Sequence, residues 1–138
     1  MNAVIRRFVE QRARSRCEYC QLHKEDAGFF SFHVERIIAQ QHGGTYRLPN
    51  LCFSCPACNA AKGPNLAGIW KGKIVPLFNP RRQPWNRHFH WDGLLLVGRT
   101  IAGNVTARLL GINDRDRVRL RASLFAEGRF PPPEDLQD

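Results

Sequence analysis

The chain has no apolar run approaching the roughly 18 to 20 residues that a bilayer-spanning helix needs. Its first residues form an arginine-bearing amphipathic segment, without the apolar stretch or the cleavage site of an export signal. The expectation is therefore a cytoplasmic, soluble protein with no membrane partner. Internal repeats are also absent. Acidic residues are scarce: 12 Asp plus Glu stand against 21 Lys plus Arg, for a formal charge of +9 and a pI near 10.1. That balance favours a polyanionic partner, nucleic acid before membrane. At 138 residues, 43% of them hydrophobic, the chain has the size of one domain with a modest core.

Coarse organisation follows from periodicity. Val4, Ile5, Phe8 and Val9 recur at helical spacing, which predicts an amphipathic helix over 2–14. From Phe29 the pattern changes to a period of two, with Phe30, Phe32 and Val34 alternating against His33 and Glu35, so a strand with both polar groups on one face is expected. Gly43-Gly44 signals a turn, and "LPNLCFSC" (48–55) reads as a loop followed by a short returning strand. "PACNAAKG" (56–63) then starts a short helix that Gly63-Pro64 stops. Residues 72–93 are basic, aromatic and proline-rich, and are expected to form an ordered but irregular arm. After a turn at Asp92-Gly93, "LLLVG" (94–98) predicts a strand. Helices are expected over 101–110, capped by Thr100, and over 114–126, capped by Asn113, with Val118, Leu120, Leu124 and Phe125 inward. The tail "FPPPEDLQD" cannot continue a helix.

Cysteine is the informative residue. Cys17-Glu-Tyr-Cys20 and Cys55-Pro-Ala-Cys58 are two C-x-x-C pairs with 34 residues between them. In a chain without an export signal, five cysteines point to metal or catalysis before disulfides. A redox motif needs one pair only, whereas two knuckles complete a closed tetrahedral four-sulfur site of the structural zinc type. Cys52 also forms a C-x-x-C with Cys55, but is expected to be a small buried hydrophobe on the returning strand. The long separation implies a strand pair inserted between the knuckles.

Taken in order, C-x-x-C, "FHVE", a double glycine, "NL" and "C-x-x-C-N-x-x-K-G" resemble the HNH endonucleases, over residues 17–63. Less specifically, the "LFNPR…W…HF.W.G" segment at 77–93 is similar to small stand-alone bacterial HNH proteins. The fold this implies is α+β: a ββα-metal core (17–63) clamped by a four-cysteine zinc site, an N-terminal helix (1–16), a basic strand-helix extension (64–130) and a frayed tail (131–138), all in one domain. The implied activity is metal-dependent hydrolysis of phosphodiester bonds in double-stranded DNA. Carried onto this sequence, Glu35 takes the place of the acidic ligand and Asn59 that of the ligand on the helix, both oxygen donors suited to Mg²⁺ or Mn²⁺. His33 shares the face of Glu35, Asn50 matches the asparagine that ties the loop and orients the base, and Lys62 is expected near DNA phosphates. Taken singly, Glu35 reads as an exposed strand carboxylate and Asn59 as a helix cap.

The departure from the family is Arg36, which stands where a histidine activates the attacking water. A guanidinium with a pKa above about 12 has no lone pair to take a proton. The general-base contribution, about 10²- to 10⁴-fold, is then missing. Three readings stay open: a deliberately inactivated form, a natural variant that binds without cutting, or another base, His33 first and His42 second. Arg81, Arg82 and Arg87, with Trp85 and Trp91, could track a DNA backbone. Arg115, Arg117, Arg119 and Arg121 cannot all point at DNA from one helix face. The competing class is a zinc-ribbon DNA-binding module without catalysis.

Overall fold

Asn2 begins the first helix of this computed structural model, which describes residues 2–137; its side chain accepts from the Val4 and Ile5 amides at 2.8 and 3.4 Å. That cap supplies partners the first turn lacks. Helix α1 runs Ala3–Arg12 and buries Val9. Met1 and Asp138, the outermost residues of the expected N-terminal segment and tail, lie outside the described residues. The chain divides into two compact units. The first comprises the residues up to Leu66 together with Asn79–Arg82, and the second comprises Ala67–Phe78 and the chain from Gln83 onward.

In the first unit, β1 (His33–Arg36) and β2 (Leu51–Ser54) form an antiparallel pair, with Glu35 opposite Cys52 and Arg36 opposite Leu51. The strand expected from Phe29 starts only at His33. Beyond Ser54 the partner chain turns at Cys55 into helix α2 (Pro56–Lys62), so residues before His33 have no ladder to join, and Phe29 and Phe30 stand exposed. Every residue of β2 is buried, because α1 covers it and Phe32 packs on Phe53 with ring centres 5.2 Å apart. Leu51, Phe53 and Val9 are the centre of this small core.

The second unit holds two more hairpins. Strands β3 (Ala67–Trp70) and β4 (Lys73–Pro76) are joined by Lys71-Gly72, both at positive φ, the two-residue geometry that matches the twist of paired strands. Helix α3 (Trp85–His88) leads into β5 (Phe89–Asp92), which pairs with β6 (Leu95–Gly98) across Gly93. The irregular arm expected over 72–93 is thus largely regular, and its aromatics pack together: buried Trp85 has its ring centre 5.2 Å from that of buried Phe89 and 6.1 Å from that of half-buried Trp91. Helix α4 (Ile101–Leu109) is capped by Thr100, whose hydroxyl accepts from the Gly103 amide at 3.0 Å, and it packs on β3, β4 and β6.

Helix α5 (Arg115–Ala126) departs from expectation at its start. Asp114 holds the cap position without a side-chain bond, because Asn113 is engaged elsewhere: its carboxamide pairs with both backbone groups of Leu96 at 2.9 and 2.8 Å. Leu124 is buried, but Phe125 is exposed, and Arg121 takes an inward place instead. Phe130 stacks edge-on against Trp91 at 5.0 Å and Pro132 is buried, so the start of the tail is docked.

Candidate metal centre and active site

Each knuckle is shaped by its own backbone before any ion is considered. The Cys20 amide points at the Cys17 sulfur (3.5 Å) and the Cys58 amide at the Cys55 sulfur (3.4 Å). Gln21, at φ +64°, closes the first turn with its amide on the Cys17 carbonyl at 2.9 Å. In the second, Cys55 serves as the N-cap of α2, and Pro56 occupies the first turn, where no amide is needed. Both knuckles present their sulfurs to one point: the Sγ atoms of Cys17, Cys20, Cys55 and Cys58 all lie within 4.8 Å of one another, and all four residues are buried.

The spacing distinguishes metal from disulfide. Cys20 and Cys55 are 3.7 Å apart, well beyond the about 2.05 Å of an S–S bond. Sulfurs at the corners of a tetrahedron around an ion with bonds of about 2.3 Å are separated by about 3.8 Å. Burial drives the Cys17 and Cys58 thiols well above their ordinary pKa, so without a cation they would stay protonated in mutual contact. A cation reverses that preference, and the cluster could hold a metal ion.

Glu18 and Tyr19, inside the first knuckle, tie it to the hairpin. The Glu18 amide donates to the Phe53 carbonyl and its carboxylate accepts from the Phe53 amide, both at 2.9 Å, so Glu18 holds both backbone groups of Phe53. The other carboxylate oxygen pairs with the Arg81 guanidinium, whose backbone is held by Asn79.

Glu35 is half-buried, and desolvation raises its carboxyl pKa, opposed by Lys62, Cys52, Ser54 and His33. Cys52 is fully buried, as expected, but it is more than filler: its sulfur lies 3.4 Å from Glu35 Oε1 and 3.7 Å from the Tyr19 hydroxyl. Lys62 corrects an expectation. It is only 2% exposed, and its ammonium donates to the Ile37 carbonyl at 2.8 Å, so it does not reach out to phosphates. Asn59 stands one turn before Lys62 on α2 and hence on the same helix face, the face that meets β1. Lys62 also acts on Glu35 electrostatically, favouring its ionised form.

Asn50 holds the connecting loop. Its carboxamide accepts from the Ile38 amide (2.9 Å) and donates to the Ile38 and Thr45 carbonyls (3.0 and 2.8 Å), while its carbonyl accepts from the Ile37 amide at 2.8 Å. The residue it fixes in space is thus the neighbour of Arg36. Gly44 allows this closure, since a Cβ there would sit 1.6 Å from the Ile38 carbonyl oxygen. Arg36 lies with its guanidinium 4.9 Å over the Tyr46 ring, and its buried Nε has no hydrogen-bond partner. His33 is exposed at the start of β1, and His42 is exposed in the loop.

Residues 17–65 match the family model described as HNH endonuclease. That segment, less than half of the chain, is similar to the HNH endonucleases. No curated protein and no solved structure matches the chain. The HNH match and the four-cysteine cluster together support a nuclease or DNA-binding role with a metal site. Among the described residues no helix is long and apolar enough to cross a membrane.

The basic residues divide sharply. Arg6 donates to the Phe32 carbonyl at 3.0 Å, and Arg12 to those of Leu48 and Leu51 at 3.2 and 2.7 Å. In the second unit, Arg117 and Arg121, four residues apart on one face of α5, reach the carbonyls of Leu110, Leu94 and Ile112, and Arg115 and Arg119 face outward. Arg81 is likewise committed, to Glu18, which corrects its expected role on DNA; Arg82 and Arg87 are exposed as that role requires. The sequence offered no sign of these clamps, because each carbonyl acceptor is set by the fold and not by residue type.

Proposed function

We propose that the chain is a metal-dependent HNH endonuclease that hydrolyses phosphodiester bonds in double-stranded DNA, weakened because Arg36 stands at the position of the general base. The observation that carries it is Glu35: a half-buried carboxylate, raised in pKa by desolvation, inside the segment that matches the HNH family, whose nearby cation, Lys62, is already donating to a carbonyl. Desolvation disfavours that negative charge, and a divalent cation would relieve it. Glu35 and Asn59 are the residues that would hold Mg²⁺ or Mn²⁺, with water filling the remaining positions. When bound, such an ion polarises a phosphoryl oxygen and lowers the pKa of a coordinated water. Zinc is the structural ion the four thiolates fit, and a reducing cytoplasm is the compartment that keeps five cysteines as thiols.

A guanidinium has donors and no acceptor, so Arg36 would serve the scissile phosphate as a charge, not as a proton acceptor. His33, exposed and two residues before Glu35 on the same strand, is the available base. Arg82 and Arg87, both exposed, are the cations available for contacts to the phosphate backbone of the duplex.

The test is plasmid nicking in Mg²⁺ and Mn²⁺. Arg36→His should raise the rate by at least about tenfold, and Glu35→Gln should abolish it. Loss of cutting in His33→Ala, in an enzyme that Arg36→His does not improve, assigns the base to His33. No cutting by any variant in any divalent metal, with salt-sensitive DNA binding retained, replaces this reading with a non-catalytic DNA-binding module, the reading that Arg36 itself favours.

A further inference from the structure

Cys52 lies outside the zinc-type cluster, yet it is neither distant from chemistry nor surrounded only by carbon. The β1–β2 register sets it opposite Glu35, and its sulfur lies 3.4 Å from Glu35 Oε1. On its other side, at 3.7 Å, is the hydroxyl of Tyr19. Cys52 and Tyr19 are both 0% exposed, so neither group has water as a substitute partner. A thiol carries one hydrogen. An ionised carboxylate only accepts, so that hydrogen belongs to Glu35, and the Tyr19 hydroxyl in turn donates to the sulfur. The result is a directed chain, Tyr19 to Cys52 to Glu35.

We propose that Cys52, backed by Tyr19, is a positioning residue that fixes the Glu35 carboxylate in the orientation in which it binds the divalent cation. This rests on the reading of Glu35 as a cation ligand. The thiol restrains Oε1 and so limits rotation of the carboxylate about its last bond. Because S–H is a weak donor, the carboxylate keeps most of its negative charge for the ion, which an ammonium or guanidinium in the same place would neutralise. Tyr19 is itself fixed, since it lies between Cys17 and Cys20 in the first knuckle. Partners of this kind, one step removed from the metal, typically alter affinity by about 10- to 100-fold when removed.

A purely space-filling Cys52 makes the opposite prediction, and the two can be separated by one pair of variants. Valine keeps apolar bulk but has no donor; serine loses bulk but keeps one. Mn²⁺ binding to the zinc-loaded full chain, followed by the electron paramagnetic resonance of free Mn²⁺, should weaken by about tenfold in Cys52→Val and stay within about threefold of the parent in Cys52→Ser. Tyr19→Phe should weaken it in the parent and have no further effect in Cys52→Val. Binding by Cys52→Val equal to the parent, or weaker binding by Cys52→Ser than by Cys52→Val, overturns the proposal. Should Cys52→Val fail to fold, as judged by circular dichroism, Tyr19→Phe decides alone: unchanged Mn²⁺ affinity counts against the chain of donors. Glu35→Gln separates the two levels of the argument. If it binds Mn²⁺ as the parent does, the ligand reading itself fails and this proposal with it; if it loses binding and Cys52→Val does not, only the positioning role is lost.

Discussion

Replacing Glu18 with Gln tests how the first unit is held together. The carboxylate accepts from the Phe53 amide at 2.9 Å and from the Arg81 guanidinium, and the two charged side chains are only 12% and 13% exposed. Burial, with Arg12 nearby, already lowers the Arg81 pKa to about 10, so the guanidinium is still charged at neutral pH and depends on its partner. Glutamine can keep one acceptor on Phe53, but it leaves Arg81 as a nearly buried charge without a counterion. Removing one member of a buried pair costs about 3–5 kcal/mol. Residual solvent at this pair reduces that to about 2–4 kcal/mol. With a slope of about 1–1.5 kcal/mol per molar urea for a unit of this size, the unfolding midpoint should fall by about 1.3–4 M. Release of the structural metal to a chromogenic chelator is the appropriate readout, because all three tryptophans, Trp70, Trp85 and Trp91, belong to the second unit and their fluorescence reports that one. Adding Arg81→Met removes both charges and should return the stability to within about 1 kcal/mol of the parent. A midpoint unmoved by Glu18→Gln, or a double variant as unstable as the sum of the two single ones, refutes the pair as the clamp.

Two further outcomes follow from the same geometry. Asn50→Ala deletes three loop hydrogen bonds and should destabilise the first unit by about 2–3 kcal/mol, read as an earlier metal-release midpoint in urea. Because burial raises the Glu35 pKa, Mn²⁺ binding should be lost on acidification at a pH above the ordinary carboxylate range. For the ion-free protein the sign is opposite: as pH falls through the raised folded pKa, the folded state takes up a proton before the unfolded state does, so this group then adds stability. A pH titration of Mn²⁺ affinity whose midpoint lies at or below that of a free glutamate would contradict the burial argument.

What was legible in the sequence was what local spacing encodes. Two C-x-x-C pairs carry their own turn geometry, so the four-sulfur cluster followed from their positions alone, as did α2 from Pro56 and Gly63 and α4 from Thr100. The β3–β4 hairpin escaped because Gly68 interrupts its alternation and Lys71-Gly72 is a weaker signal than Asn-Gly. α5 has almost no apolar stripe, since Arg117 and Arg121 occupy its inner face, and no periodicity of hydrophobic residues could find them. The partners of the arginines lie far along the chain, 26 residues for Arg6 and Phe32 and 63 for Arg81 and Glu18, and depend on the finished fold. Lys62 was misread for a related reason: its place after the knuckle was visible, but the direction in which α2 would turn it was not.

The arginines that clasp backbone carbonyls keep their positive charge while their donor atoms are occupied. A guanidinium held in this way still contributes to the long-range field that draws in a polyanion, yet it cannot close on a phosphate at short range. Encounter should therefore be fast and strongly dependent on ionic strength, whereas residence time should be governed by the few unclasped cations, Arg82 and Arg87 among them.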